Sequence, residues 1–164
     1  MPAGERAKEQ TVISQPLVFR PRPWIISCLT LAADQATKSL LVSSFAPGHS
    51  LPLLPPVLRL TYVQNTGAAF GLLKGQQALF VLCSLLVIGW IIRAFVSRTA
   101  VPSVTEWGYA LMLGGAVGNL IDRARLGYVI DFLDFRVWPV FNVGDSAITI
   151  GVTLVICHTL FSKR

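Results

Sequence analysis

Apolar residues run along this chain in four stretches of membrane length, 24–42, 77–95, 105–120 and 140–161. A span needs about 20 mostly apolar residues to cross a hydrocarbon core of about 30 Å. The pattern therefore predicts four transmembrane helices, the third somewhat short. Between the first two lies a long segment, 43–76, in which Pro47, Gly48, Pro52, Pro55 and Pro56 break helix early. Val57-Leu58-Arg59-Leu60-Thr61-Tyr62-Val63 then has the β-branched and aromatic content of a short strand, and Leu72-Leu73-Lys74-Gly75 reads as a closing turn. The predicted fold is an all-α membrane protein, four transmembrane helices with a small extracytoplasmic β platform; an irregular loop is the alternative for 43–76. Residues 1–22 are polar and proline-bearing and predict a flexible cytoplasmic tail, which leaves 23–164 as one four-helix membrane domain.

Composition agrees with a membrane protein. Hydrophobic residues make up 53% and charged residues 13% of 164 positions, and mean hydropathy is +0.61; soluble domains carry about 25% charged residues. The net charge of +6 matters less than its placement. Arg6, Lys8, Arg20 and Arg22 precede the first span, Arg93 and Arg98 follow the second, and Lys163 and Arg164 follow the fourth. The positive-inside rule puts all three clusters, and both termini, in the cytoplasm. No basic stripe with interleaved aromatics exists, so nucleic-acid binding is not expected. Arg20, Arg22 and the short run from Trp24 to Leu31 mimic a signal peptide, and Ile25-Ile26-Ser27-Cys28 a lipobox, but the apolar run continues past them as one helix. Cys28, Cys83 and Cys157 each fall in an apolar run without CxxC spacing and read as small buried hydrophobes. His49 and His158 are isolated, so neither a metal site nor a cofactor is expected.

Polar residues inside apolar spans are the candidates for function. With about 1.5 Å of rise per residue, Asp34 and Lys38 lie roughly 15 and 21 Å from the inner end of the first helix, and Asn119 about 21 Å along the third. Asp145 lies about 25 Å from the inner end of the fourth. Asn65 and Asp131 enter the same outer layer from the two outer segments. Asp34 and Lys38, spaced i, i+4, can pair, either simply to neutralise each other or to position a site. Asp122-Arg123 reads as an interfacial charge pair, or Arg123 as an anchor for a substrate carbonyl or lipid phosphate. Gly114-Gly115-Ala116-Val117-Gly118 predicts close helix packing, or room for a substrate. Asn65-Thr66-Gly67 is turn-like. Taken singly, Asp145 fits an N-cap and Asp131 a surface loop.

Together the two suggest chemistry. Two carboxyls within about 3 Å cannot both ionise readily, so they share a proton. The ionised member takes a proton from water while the protonated member donates to a scissile carbonyl oxygen. No Ser–His motif, HExxH or GxSxG competes in this sequence.

Five motifs occur in order: Asp34-Gln35-Ala36-Thr37-Lys38, Asn65-Thr66-Gly67-Ala68-Ala69-Phe70, Gly114 through Arg123, Val129-Ile130-Asp131-Phe132, and Phe141-Asn142-Val143-Gly144-Asp145-Ser146. In this the chain closely resembles bacterial lipoprotein signal peptidase, or signal peptidase II, from about residue 24 to 161. The resemblance implies an intramembrane aspartyl endopeptidase of the bacterial cytoplasmic (inner) membrane, with its active site near the extracytoplasmic face. Its substrate would be diacylglyceryl-modified prolipoprotein, cut just before the lipidated cysteine, with membrane lipid as its surroundings. It further implies Asp131 and Asp145 as the catalytic pair, and Asp34, Lys38, Asn65, Gly67, Asn119, Arg123 and Asn142 as substrate-binding or supporting residues. Asp122 also matches and is expected to support structure. Gly144 stands where the family usually has Ala, and the tail 1–22 is longer than the family requires. A monomer contains every motif. Two other readings use the same residues: a small proton-coupled membrane carrier, which would place carboxyls near the midplane with repeat symmetry, and a non-catalytic scaffold.

Overall fold

A computed structural model describes residues 20–67, 73, 75–97 and 102–162. Apart from Arg20, Pro21 and Arg22, the tail expected over 1–22 lies outside the described residues. So do Arg98, Lys163, Arg164, Ala68–Phe70 of the second motif, and Leu72 and Lys74 of the expected turn.

The elements are α1 (Pro21–Ser44), β1 (Ser50–Leu54), β2 (Leu58–Asn65), α2 (Gln77–Val96), α3 (Ser103–Leu126), β3 (Val129–Asp134) and α4 (Val143–Phe161). Three of the helices, α1, α2 and α4, are long and apolar enough to cross a membrane. In α3, 24 residues long, glycines, Glu106, Asn119, Asp122 and two arginines dilute the hydropathy. The helix also runs six residues past the end expected from the apolar pattern, because Gly127 is what stops it. That residue adopts the left-handed conformation at φ 78 and its N–H bonds Arg123 O.

The helices are arranged inside out relative to a soluble bundle. The face α1 buries contains Ser27, Asp34, Lys38 and Leu41, at helical spacing, while Leu29 and Leu40 point outward. On α2 only Ile91 is buried. Apolar side chains gain nothing by leaving lipid for protein, so polar and small residues occupy the contacts. Helix α3 packs against α1, α2 and α4. Its glycines allow this: a Cβ on Gly108 would lie 2.7 Å from Gly151 O, one on Gly114 would lie 2.6 Å from Ser27 O, and one on Gly115 would collide with Gly144 O. Close packing, not room for a substrate, is what these residues provide. Cys28, Cys83 and Cys157 are free and exposed, contrary to the buried positions expected. Lipid is as apolar as a core, so an apolar run does not say which of the two a thiol faces.

The β platform is a three-stranded antiparallel sheet in the order β1-β2-β3. Strand β2 falls where the β-branched run predicts it. Strand β3 was not anticipated; it turns the polar stretch around Asp131 into sheet. Leu41 of α1 clusters with Tyr62, Ile130 and Phe132, which seats the sheet on the helices at the end of α1.

Candidate active site

Asp131 and Asp145 reach one place from different elements. In β3, Asp131 pairs opposite Val63 of β2, and Asn65, two residues further along β2, lies on the same face. Asn65 Nδ2 donates to Asp131 Oδ2 at 2.8 Å. Asn65 Oδ1 in turn accepts the Gly67 N–H at 3.0 Å, the hydrogen bond of an Asx turn. Asp145 is the third residue of α4, whose N-cap is Asn142. The two form a capping box: Asn142 Oδ1 accepts the Asp145 N–H at 2.8 Å, and Asp145 Oδ2 accepts the Asn142 N–H at 3.3 Å. Asp145 does serve the helix start, as its N-cap reading anticipated, but Asn142 is the N-cap.

Asn142 is fully buried and links the two carboxyls. While its backbone bonds Asp145, its side chain donates to Asp131 Oδ1 at 2.7 Å. A second amide, Asn119 of α3, donates to Asp145 Oδ1 at 2.7 Å and accepts from Lys38 Nζ at 2.9 Å. Lys38 also lies 2.8 Å from both Asp34 and Asp122. The i, i+4 pair expected on α1 is present, and Asp122 turns inward to Lys38 instead of forming the interfacial pair with Arg123. Gln35, not singled out by the sequence reading, donates to both Asp34 and Asp122. Its signal was a long amide inside an apolar helix, between two charged residues.

Asp131 is 1% exposed. Burial, reinforced by the nearby Asp145 charge and only partly offset by the amides of Asn65 and Asn142, pushes its pKa up to about 7.

A cavity of about 740 Å³ opens onto both carboxyls. Asn65, Arg123, Asp131 and Asp145 form its polar end, and Val137, Trp138, Ile148 and Ile150 contribute apolar wall. Arg123 stacks its guanidinium over Phe80 at 5.0 Å, and its buried Nε has no hydrogen-bond partner among the described residues. Among the described residues no three His, Cys, Asp or Glu side chains cluster so as to hold a metal ion. The arrangement offers two carboxyls, one with a proton available near neutral pH, beside a largely apolar space that the Arg123 guanidinium also lines.

Comparison with known proteins agrees. Residues 26–161 match the family described as Signal peptidase (SPase) II. The lipoprotein signal peptidase of Moorella thermoacetica is 46% identical over 136 residues, covering 83% of this chain and 90% of that protein. That of Halothermothrix orenii is 42% identical over 135 residues, covering 82% and 92%. A bacterial membrane enzyme solved by the in meso method at 2.3 Å resolution superposes with a TM-score of 0.83 at 30% identity, over 89% of this chain and 92% of that one. With its motifs, its fold and these relatives in agreement, the chain belongs to the signal peptidase II family, a family of membrane peptidases.

Proposed function

We propose that this protein is an aspartic endopeptidase that removes the signal peptide from diacylglyceryl-modified prolipoproteins, cutting just before the lipidated cysteine, with Asp131 and Asp145 as the catalytic pair. The observation that carries the reading is the shared cavity: both carboxyls line it, and Asn142 bonds both. Asp145 sits in the first turn of α4, where the helix dipole favours an anion, and acts as the base. Asp131 holds the proton. Water attacks the scissile carbonyl carbon, giving one proton to Asp145 while Asp131 donates its own to the carbonyl oxygen. The resulting gem-diol collapses with cleavage of the C–N bond. Asp145 then returns its proton to the leaving amine, and a hydroxyl proton goes back to Asp131.

Supporting a membrane-embedded substrate, most of the cavity wall is apolar, and the Arg123 guanidinium that lines it is suited to a peptide carbonyl or lipid phosphate. Acyl chains would enter from the lipid side. Helix α3 serves as a fourth span: 24 residues rise about 36 Å, more than the hydrocarbon core. With Arg20, Arg22 and Arg93 on the cytoplasmic side, both termini face the cytoplasm and the sheet and dyad face outward from the bacterial inner membrane. A single chain supplies every proposed group, so the working unit is the monomer.

The test is cleavage of a diacylglyceryl-modified prolipoprotein by purified protein in detergent. Wild type should cut before the lipidated cysteine, and folded Asp131→Asn and Asp145→Asn should each lose activity by several orders of magnitude. Near-normal activity in either variant would refute the assigned pair. Failure of folded wild type to cut would refute the function.

A further inference from the structure

Away from the reacting carboxyls, Asp34, Gln35, Lys38 and Asp122 form a buried cluster between α1 and α3. Lys38 Nζ is 2.8 Å from each aspartate. Gln35 Nε2 lies 3.2 Å from Asp34 Oδ2, 3.1 Å from Asp122 Oδ1 and 3.2 Å from the Gly118 carbonyl oxygen, so its two hydrogens are shared among three acceptors. Among the described residues each aspartate side chain has one further partner. Asp34 Oδ1 accepts the backbone N–H of Gly144 at 2.7 Å, and Asp122 Oδ2 accepts that of Ile130 at 3.1 Å. Gly144 immediately precedes Asp145, and Ile130 immediately precedes Asp131.

Stability alone is weak ground for such a cluster, because desolvating buried ions offsets their attraction. Its symmetry has a geometric consequence. We propose that Asp34 and Asp122, tied together by Lys38 and Gln35, are positioning residues that set the spacing of the two reacting carboxyls by gripping the backbone just before each. This rests on the reading of Asp131 and Asp145 as the catalytic pair. Asn142 joins the carboxyls themselves, while the cluster fixes the backbones of α4 and β3 from behind. Gly118 makes room for the grip, since a Cβ there would run into the Asp34 carboxylate. Gln35 thereby gains a specific role, since its one amide spans both grips without adding charge.

The test measures kcat, KM and thermal unfolding in detergent for Gln35→Leu, Asp34→Asn, Asp122→Asn and the Asp34→Asn/Asp122→Asn double variant, beside Asp131→Asn. The substrate is a diacylglyceryl-modified prolipoprotein. Misplacement by about 1 Å costs about 100-fold in rate. Each Asn variant should lose about that factor in kcat per folded molecule, and Gln35→Leu about tenfold. KM should stay within about twofold, because the cavity wall is untouched. The double variant should lose no more than the worse single, as parts of one unit are not additive. Should the Asn variants fail to fold, uncharged Gln35→Leu decides. A normal kcat in folded Gln35→Leu, with only a lower unfolding temperature, overturns the proposal, as does a loss confined to KM. If Asp131→Asn is inactive in that case, the positioning role alone falls. If Asp131→Asn is fully active, the dyad assignment falls and takes this proposal with it.

Discussion

Asn142 donates its side-chain amide to Asp131 at 2.7 Å, and the direction of that bond is forced. Its carbonyl oxygen already accepts the Asp145 N–H, so only the NH2 group is left to face Asp131. Asn119 is constrained in the same way. Its oxygen faces the Lys38 ammonium, which leaves the NH2 for Asp145. Both carboxyls thus meet fixed donors on the side remote from the cavity.

Two substitutions separate the capping role of Asn142 from its bonding of Asp131. Asn142→Asp keeps an N-cap acceptor but turns an oxygen, not an NH2, toward Asp131. It should leave the cap's contribution in place and lower kcat by about 100-fold or more. Asn142→Ala should lower kcat and also cost about 1–2 kcal/mol of stability for the lost cap. Steady-state kinetics and denaturation of both variants check this.

Activity should decline on the alkaline side. The general acid must carry its proton, and Asp131 releases it as pH rises through about 7. Stability has the same sign. The folded-state pKa is raised, so folding takes up a proton between the ordinary carboxylate range and about pH 7. The favourable contribution is complete below that window and is lost as pH rises through it. Asp131→Asn should therefore raise the unfolding temperature relative to wild type at pH 8 and give no such gain at pH 4. Unfolding curves at the two pH values test the sign, and a pH profile of wild-type kcat/KM tests the acid role.

Arg123 should act on binding. Its guanidinium is the one cationic group among the described residues that line the cavity, so Arg123→Gln should raise KM by about tenfold or more, in line with a lost charge-assisted hydrogen bond. The fall in kcat should be smaller. Titrating lipidated substrate against the variant checks the split.

Gly151 is a packing position away from the dyad. A Cβ there would sit 2.5 Å from Gly108 O, a backbone atom that cannot swing aside. Gly151→Ala should cost about 1–3 kcal/mol as an overpacked contact while leaving kcat per folded molecule near wild type. Comparing unfolding temperature with the activity of the folded fraction tests it.

Much of this arrangement was legible in the chain. The helices α1, α2 and α4 as apolar stretches of membrane length, and the β2 strand, follow from hydropathy and residue pattern, because both are local and periodic. The ordered motifs named the family. Strand β3 was missed because Asp131 and Asp134 break up its apolar run, and both are buried only once the chain has folded, Asp131 against Asn65 and Asn142 and Asp134 against Thr61. The end of α3 was misplaced because Asp122 and Arg123 look like a polar boundary, whereas Asp122 bonds inward to Lys38 and the helix stops at Gly127.

By itself, then, the sequence determined that this is a membrane chain with scarce polar groups gathered in one layer, since hydrophobicity and helix period act residue by residue. Only the tertiary structure decided who bonds whom. A hydrogen bond depends on direction and a few tenths of an ångström, and partners 66 to 110 residues apart, such as Asn65 with Asp131 and Asp34 with Gly144, meet only when the helices and sheet have packed.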